Sequence, residues 1–208
     1  MSPRERLARA RLLLLFTRSL CRGEPFAVLG AAVRGGVGAV QVREKEATSR
    51  DLLEWSRRVR ERLGRSDILL FVNDRFDVAK LAGADGVHLG QEDLPCAAVR
   101  AIVGEQLLIG VSTHDLAQAK AAAEGGADLL GFGPIFPTRT KGLEKGVGPG
   151  ALSPVLGALR IPVFPIGGID PYNAAALSFA GRAAVSSAIL GAKDPEEAAR
   201  SIRSALGG

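Results

Sequence analysis

Short apolar segments recur along the whole chain and predict eight buried strands. Each segment is four to six residues long, and together they show little of the strict polar alternation expected for a half-exposed strand. Strands that are buried on both faces have this composition, which is typical of parallel sheets. The predicted strands cover residues 11–16, 38–42, 68–72, 86–89, 107–111, 128–132, 161–166 and 183–187.

Segments with helical character separate these strands. Leu52, Trp55, Val59 and Leu63 recur at three- or four-residue steps, and residues 114–127 are rich in alanine and end at glycines. Alternating strands and helices require parallel crossovers, which indicates an α/β protein. A doubly wound sheet usually carries a glycine fingerprint after its first strand, and this chain has none there. Eight units therefore favour a single-domain (β/α)8 TIM barrel over residues 1–208.

Composition supports one globular, soluble domain. The chain has 208 residues, 47% of them hydrophobic, enough for a sizeable core. Its longest apolar run, residues 12–16, is far shorter than the ~20 residues of a membrane span or the ~7–15 of a secretory signal. Cys21 and Cys96 are too few for a disulfide framework. We therefore expect a cytoplasmic protein with no membrane partner, in which each cysteine is a buried small hydrophobe.

The excess of basic residues does not indicate a nucleic-acid-binding protein. The formal net charge is +5, but the arginines are scattered through predicted helices and no aromatic residues interleave with them. This distribution favours small phosphorylated ligands, or solubility alone, over nucleic acid.

Polar residues follow the predicted strands at their carboxyl ends. In a parallel barrel those ends meet at one rim, so residues distant in sequence converge on one site. In chain order, the rim residues after strands two to eight are Arg43, Glu44 and Lys45; Asn73 and Asp74; Gln91 and Asp93; Ser112 and His114; Thr138, Thr140 and Lys141; Gly167 and Gly168; and Ser186 and Ser187.

Asp74 and Asp93 are candidate metal ligands. Mg²⁺ prefers oxygen ligands and usually keeps waters and substrate phosphate oxygens in its shell, so two carboxylates suffice. The alternative is that each carboxylate caps a following helix, an ordinary place for an acidic residue.

Candidate anion ligands lie on the same rim. Arg43, Lys45 and Lys141 could neutralise a polyphosphate, although lysine and arginine are more often solvated surface charges. The glycines at 167 and 168 and the serines at 186 and 187 match the place where such barrels often bind phosphate, between their last two loops. Tight turns would explain the glycines equally well.

The two histidines have different expected roles. His114 follows the fifth predicted strand and could transfer a proton near neutral pH, or could be a capping or packing residue. His88 lies within the fourth predicted strand and is interpreted as structural. The spacing of serine, cysteine, histidine and acidic residues does not indicate a covalent nucleophile.

Six motifs together resemble the thiamine-phosphate synthase family, over roughly residues 11 to 206. In combination and order they are highly specific: QVREK at 41–45, VNDRFDVA at 72–79, GADGVHLGQEDLP at 83–95, GVSTH at 110–114, GFGPIFPTRTKG at 131–142 and IPVFPIGGI at 161–169. The resemblance implies a (β/α)8 barrel, in agreement with the strand pattern. It also implies an enzyme that joins a hydroxymethylpyrimidine diphosphate to a thiazole phosphate and releases pyrophosphate.

The same resemblance implies a role for each matching residue. Gln41 would address the pyrimidine, and Asp74 and Asp93 would bind Mg²⁺. The implied diphosphate ligands are Arg43, Lys45, Asn73, Ser112 and Lys141, of which Arg43, Lys45, Ser112 and Lys141 would also be catalytic. The implied thiazole-phosphate ligands are Thr138, Thr140, Gly168, Ser186 and Ser187.

Two other functions remain open at the level of sequence. Related thiazole tautomerases isomerise a thiazole carboxylate phosphate with a histidine that would correspond to His114. A regulatory barrel that binds a thiamine precursor without turnover is the other alternative. Asp93 in GQEDLP and Lys141 in PTRTK favour the synthase, which would require Mg²⁺. The expected partners are small-molecule substrates, and the choice between a monomer and a homo-oligomer stays open.

Overall fold

The protein forms one sheet of eight parallel strands. A computed structural model describes residues 1–64, 66–138 and 145–207, and all statements below concern these residues. Every predicted strand is present, with its ends shifted by two residues at most. The strands are β1 (Leu12–Phe16), β2 (Ala39–Val42), β3 (Leu69–Asn73), β4 (Gly86–Leu89), β5 (Leu108–Thr113), β6 (Leu129–Phe132), β7 (Val163–Pro165) and β8 (Ala183–Val185).

The sheet curls into a barrel. Its strand order is β7-β6-β5-β4-β3-β2-β1-β8, and every neighbouring pair is parallel. An isolated parallel bridge between Ile166 and Ala184 joins the β7 and β8 ends and completes the circle. The expected TIM-barrel architecture is confirmed, with the carboxyl ends of all strands at one rim.

Helices cover the outside of the sheet. In α3 the predicted face of Leu52, Trp55, Val59 and Leu63 is buried, and the Thr48 side chain caps the first turn. The connection after β7 has only a short 3₁₀ helix at Ala174–Leu177. The α-helices of the described ranges are α1 (Pro3–Arg9), α2 (Pro25–Arg34), α3 (Ser49–Leu63), α4 (Phe76–Leu81), α5 (Cys96–Val103), α6 (Leu116–Glu124), α7 (Leu152–Ala158), α8 (Ser187–Leu190) and α9 (Pro195–Ala205).

Apolar side chains fill both faces of the barrel wall, as the continuous hydrophobic strands predict. The larger cluster lies between the strands and the surrounding helices. A smaller cluster, which includes Leu13, Phe71 and Phe164, joins side chains of the strands to those of α1. Phe71 fits beside Gly86 on the neighbouring strand, where a Cβ atom would collide with its ring. The interior is therefore a packed core rather than a pore.

The helix α1 closes the amino-terminal end of the barrel and was not predicted. Its cap is a reciprocal pair of hydrogen bonds between Ser2 and Glu5. Asp85, which precedes β4, forms an ion pair with Arg6 of α1 at 2.5 Å and accepts a hydrogen bond from the Leu70 N–H at 2.8 Å. These contacts anchor α1 at the end of the barrel opposite the polar rim.

A membrane-spanning segment is absent from the helices of the described ranges, because none is long and apolar enough to cross a bilayer.

Candidate functional site

Two adjoining cavities open among the carboxyl ends of the strands. The first, called the polar cavity, has a volume of about 300 Å³, and its polar lining includes Gln41, Arg43, Lys45, Asn73, Asp74, His88, Gln91, Asp93, Ser112 and His114. The second, called the hydroxyl cavity, has a volume of about 390 Å³ and is lined by residues that include Thr138, Gly167, Gly168, Ser186 and Ser187. Arg43, Ser112 and His114 line both cavities, so the two spaces share a wall.

The basic side of the polar cavity comes from β2 and the loop after it. Gln41 lies within β2 and is 2% exposed, whereas Arg43 and Lys45 follow the strand. The Thr17 hydroxyl donates a hydrogen bond to the Arg43 carbonyl at 2.8 Å, and the Glu44 carboxylate accepts one from the Arg18 backbone N–H at 2.8 Å. The loop after β1 therefore holds the loop that carries the two cations.

Asp74 projects from a strained turn at the end of β3. Its φ of 62° is the only positive value at a described non-glycine residue. The Arg75 N–H donates to the Asn73 carbonyl at 2.7 Å, which closes a tight three-residue turn around Asp74. The Asp74 N–H donates to the His88 carbonyl of β4 at 2.8 Å, which helps to hold this conformation. Backbone strain of this kind is often found at functional sites.

Asp93 lies against Asp74. Its carboxylate accepts a hydrogen bond from the Gly90 N–H at 2.6 Å, which orients it toward the cavity loop. Burial, followed by the hydrogen bond and negative charge of Asp93, raises the pKa of Asp74 to about 6, against the opposing effect of Lys45 and Arg43. The structure thus brings together two carboxylates whose mutual repulsion a proton or a cation would relieve.

The helix-capping alternative for these two acids is wrong. The residue at the N-cap of α4 is Arg75, and that of α5 is Pro95. A cluster of three or more histidine, cysteine or acidic side chains able to hold a metal does not occur in the described ranges. Two hard oxygen ligands nevertheless fit Mg²⁺, which commonly binds through one or two carboxylates and completes its shell with water and phosphate.

Ser112 lies in β5 and contacts His88 of β4. The Ser112 Oγ is 3.0 Å from His88 Nε2, and the Ser112 carbonyl accepts a hydrogen bond from the Gln91 side chain at 2.6 Å. His88 is 7% exposed and lines the polar cavity, a position that the sequence did not predict. The continuous apolar pattern of the strand could not show which face points into the barrel. The sequence feature that could have indicated the direction of the ring is the pair Gly110 and Gly131, which lack side chains where the ring packs.

His114 follows β5 and lines both cavities. Its Nδ1 lies 2.5 Å from the Gly133 carbonyl, which can only accept, so Nδ1 carries a proton and Nε2 is the ring nitrogen available to other partners. Asp115, and not His114, is the side-chain cap of α6. The placement is compatible with the predicted proton-transfer role and does not test it.

The hydroxyl cavity gathers residues from the ends of β6, β7 and β8. Ser186 donates its hydroxyl hydrogen bond to the Leu15 carbonyl at 3.0 Å, while Ser187 is exposed at the first position of α8. Gly168 has a φ of 62°, and a Cβ atom there would collide with the Pro137 carbonyl oxygen. This glycine is therefore required by the close approach of two loops. Thr140, also predicted as a thiazole-phosphate ligand, and Lys141, predicted as a diphosphate ligand, lie outside the described residues.

The two cysteines are free, and each is half-buried against the larger core cluster rather than fully buried as expected. Burial raises the pKa of the Cys21 thiol to about 11 and also raises that of Cys96. Neither environment activates a thiolate, in agreement with the expectation that neither cysteine is a nucleophile.

Comparison with known proteins gives a consistent family. A family model described as thiamine monophosphate synthase matches residues 12–189. The thiamine-phosphate synthase of Anaeromyxobacter dehalogenans is 47% identical over 186 residues, which are 88% of this chain and 83% of that protein. The thiamine-phosphate synthase of Chloroflexus aurantiacus is 44% identical over 204 residues, which are 93% of this chain and 91% of that protein.

A solved structure gives the same result. The thiamine phosphate pyrophosphorylase from Pyrococcus furiosus superposes with a TM-score of 0.86 at 35% identity, covering 98% of this chain and 97% of that one. Family model, sequence relatives and structure agree over nearly the whole length. The chain belongs to the thiamine monophosphate synthase family.

Proposed function

We propose that the protein joins 4-amino-5-hydroxymethyl-2-methylpyrimidine diphosphate to 4-methyl-5-(2-phosphoethyl)thiazole to give thiamine phosphate and pyrophosphate, or to the carboxylate of that thiazole with additional loss of CO2. As a member of its family the chain is a transferase of thiamine biosynthesis. One observation carries the detailed proposal: a cavity with two cations and a carboxylate pair shares a wall with a second cavity lined by hydroxyls and glycines. Two anionic substrates would meet at that wall.

The polar cavity suits the pyrimidine diphosphate. Gln41, buried in β2, would hydrogen-bond the pyrimidine ring, while Asn73 and Ser112 would donate to the diphosphate. Arg43 and Lys45 would neutralise its charge, with Arg43 able to fork onto two oxygens. Lys141 is proposed for the same group on the strength of the motif alone.

Asp74 and Asp93 would hold Mg²⁺. When bound, the ion would supply charge neutralisation at the pyrophosphate leaving group. The two carboxylates lie together, and burial, followed by the neighbouring Asp93, raises the pKa of Asp74 to about 6 despite the opposing Lys45 and Arg43, so a cation bound here would favour the charged form of Asp74. Both acids have backbone hydrogen bonds that fix them at the cavity wall.

The proposed reaction is dissociative. The bond between the pyrimidine methylene and the diphosphate oxygen breaks, and pyrophosphate leaves with the electron pair. The thiazole nitrogen then donates its lone pair to the pyrimidine-methyl cation. The residues of the site would stabilise charge and position both partners, which needs no protein nucleophile.

The hydroxyl cavity suits the thiazole phosphate. Thr138, Thr140, Gly168, Ser186 and Ser187 are the proposed ligands. Because the Ser186 hydroxyl already donates to the Leu15 carbonyl, Ser186 would contribute its backbone N–H or exchange that bond when phosphate binds.

Family membership favours the synthase over the two alternatives. A tautomerase would use Nε2 of His114, but it would leave the Asp74 and Asp93 pair without a role. A non-catalytic sensor would conflict with the enzymatic family. We further propose that the protein acts in the cytoplasm on small molecules. Whether it does so as a monomer or a homo-oligomer does not affect this proposal.

The test is a product assay with both substrates and Mg²⁺, in which thiamine phosphate and pyrophosphate are followed together. We expect equal amounts of both, loss of both with EDTA, and recovery when excess Mg²⁺ is added back. Asp93→Asn should abolish coupling, whereas Asp77→Asn, which changes the same charge at an exposed position paired with Arg75, should not. Metal-independent isomerisation of thiazole carboxylate phosphate without coupling would establish the tautomerase instead.

A further inference from the structure

The part-buried contact between His88 and Ser112 lies in the wall of the polar cavity. Nε2 of His88 is 3.0 Å from the Ser112 Oγ, and the ring is 7% exposed. We propose that His88 is a positioning residue: its Nε2–H donates to Ser112 Oγ, so that the serine hydroxyl donates its own proton to the substrate diphosphate. The inference rests on the proposed function, in which Ser112 is a diphosphate ligand.

The number of protons on His88 Nε2 and Ser112 Oγ decides whether Ser112 can donate a hydrogen bond to an anion. A serine hydroxyl has one proton to donate and two lone pairs to accept with. If Nε2 of His88 accepts, the hydroxyl proton is used within the protein and Ser112 presents only lone pairs to the cavity. Arg43 and Lys45 line that cavity and attract anions. The lone pairs of the Ser112 hydroxyl would repel the same anions. Only the Nε2–H form of His88 leaves Ser112 as a donor to an anion.

The surroundings hold the ring and the serine in place. The His88 ring packs against Gly110 and Gly131, where a Cβ atom on either glycine would crowd it. The Ser112 carbonyl accepts from the Gln91 side chain at 2.6 Å, which fixes the serine backbone. With the ring and the serine backbone held by these contacts, the direction of the Ser112 hydroxyl hydrogen depends on the tautomer of His88.

The direct test is the tautomer itself. The chain contains two histidines, so a long-range ¹H–¹⁵N NMR spectrum of labelled protein shows only two imidazoles. His114 serves as the internal reference, because the Gly133 carbonyl at Nδ1 selects the opposite tautomer. A His114→Gln variant assigns the signals. At a pH where both rings are neutral, we expect His88 protonated at Nε2, both in the free protein and with Mg²⁺ and inorganic pyrophosphate.

A His88 ring protonated at Nδ1 in these spectra would overturn the inference. This readout is independent of turnover, so its failure is distinct from failure of the proposed function. The latter would appear as absence of coupled products in the wild-type assay.

Kinetics of matched variants provide a second test. His88→Gln can place an amide N–H near the original Nε2, whereas His88→Leu fills the space without a donor. We expect the leucine variant to raise the KM for the pyrimidine diphosphate about tenfold and the glutamine variant to recover most of that loss. In a Ser112→Ala background His88→Leu should add no further loss. An equal loss in both backgrounds would show a structural role alone, and if the leucine variant does not fold, the NMR result decides.

Discussion

Replacing Asp74 by asparagine should stabilise the metal-free protein while removing its activity. Asparagine is the natural probe because, after glycine, it tolerates the positive φ of this turn well, so the backbone stays as it is. The change removes one charge of the Asp74 and Asp93 pair. The raised pKa of Asp74, about 6, measures how unfavourable the negative charge is at this position.

The magnitude follows from the pKa. The rise from 3.8 to about 6 corresponds to roughly 3 kcal/mol of unfavourable free energy at high pH. Because the side chain is only half-buried, solvent screening reduces this, and we expect a gain of ~1 kcal/mol in unfolding free energy. The folded pKa is raised, so the wild-type penalty is absent below about pH 4, grows through the window between, and is complete above about pH 6.

The measurement is urea unfolding at pH 4 and at pH 7.5. Each pH is tested with EDTA and with Mg²⁺ at about 10 mM, a concentration chosen to saturate the site. With EDTA, the variant should exceed the wild type at pH 7.5 and equal it at pH 4. Mg²⁺ should stabilise the wild type and not the variant, and coupling should fall by at least ~100-fold. Asp77→Asn, at an exposed ion pair in the first turn of α4, three residues after Asp74, is the matched control. A variant that is equally destabilised under all four conditions would refute the reasoning.

Three further outcomes are expected. Gly168→Ala should lower the unfolding free energy by ~2 kcal/mol or more and raise the KM for the thiazole phosphate, because it combines a positive φ with a collision at the Pro137 carbonyl. The control Gly150→Ala, where the Cβ has open space, should change neither quantity in the same thermal melts and kinetics. Asp85→Ala should lower the unfolding free energy measured in urea by about 3 kcal/mol, because it leaves Arg6 and the Leu70 N–H without this acceptor. Both KM values should stay unchanged, and altered values would contradict the separation of the two barrel ends. Ser187→Ala, at an exposed position, should change thermal stability by less than ~0.5 kcal/mol while weakening binding of the thiazole phosphate by titration calorimetry, and unchanged affinity would remove it from the site.

The fold could be predicted because the strands are continuous apolar runs separated by helical patterns. The same property limited the prediction of the site. In strands such as GVHL, where both faces are buried, sequence does not show whether His88 points into the barrel or toward the helices. Sequence also predicted that the end of β8 lies at the rim but not that the Ser186 hydroxyl is already bonded to the Leu15 carbonyl. Such contacts depend on the register between β8 and β1, which no local pattern encodes.

Two local features were misjudged for identifiable reasons. The helix α1 was not predicted because it is short and largely polar and is followed at once by the apolar run of β1, although Ser2 and Glu5 have the spacing of a capping box. Helix capping was an alternative role for Asp74 and Asp93 because acidic residues often cap helices. The N-caps of α4 and α5 are other residues. The strained turn at Asp74 could not be inferred, since its φ is fixed by a hydrogen bond to His88, 14 positions along the chain.

The wall between the polar and hydroxyl cavities also indicates how the enzyme could be inhibited. Each cavity alone is near the lower end of the volumes, roughly 300–1,000 Å³, that hold drug-sized ligands. A compound with an anionic group at each end and a short rigid linker passing Arg43 and Ser112 would occupy both. Binding of its first end would place the second at a high local concentration, so its affinity should greatly exceed that of either half. Resistance by substitution at the linker would then require a change in a residue that lines both cavities.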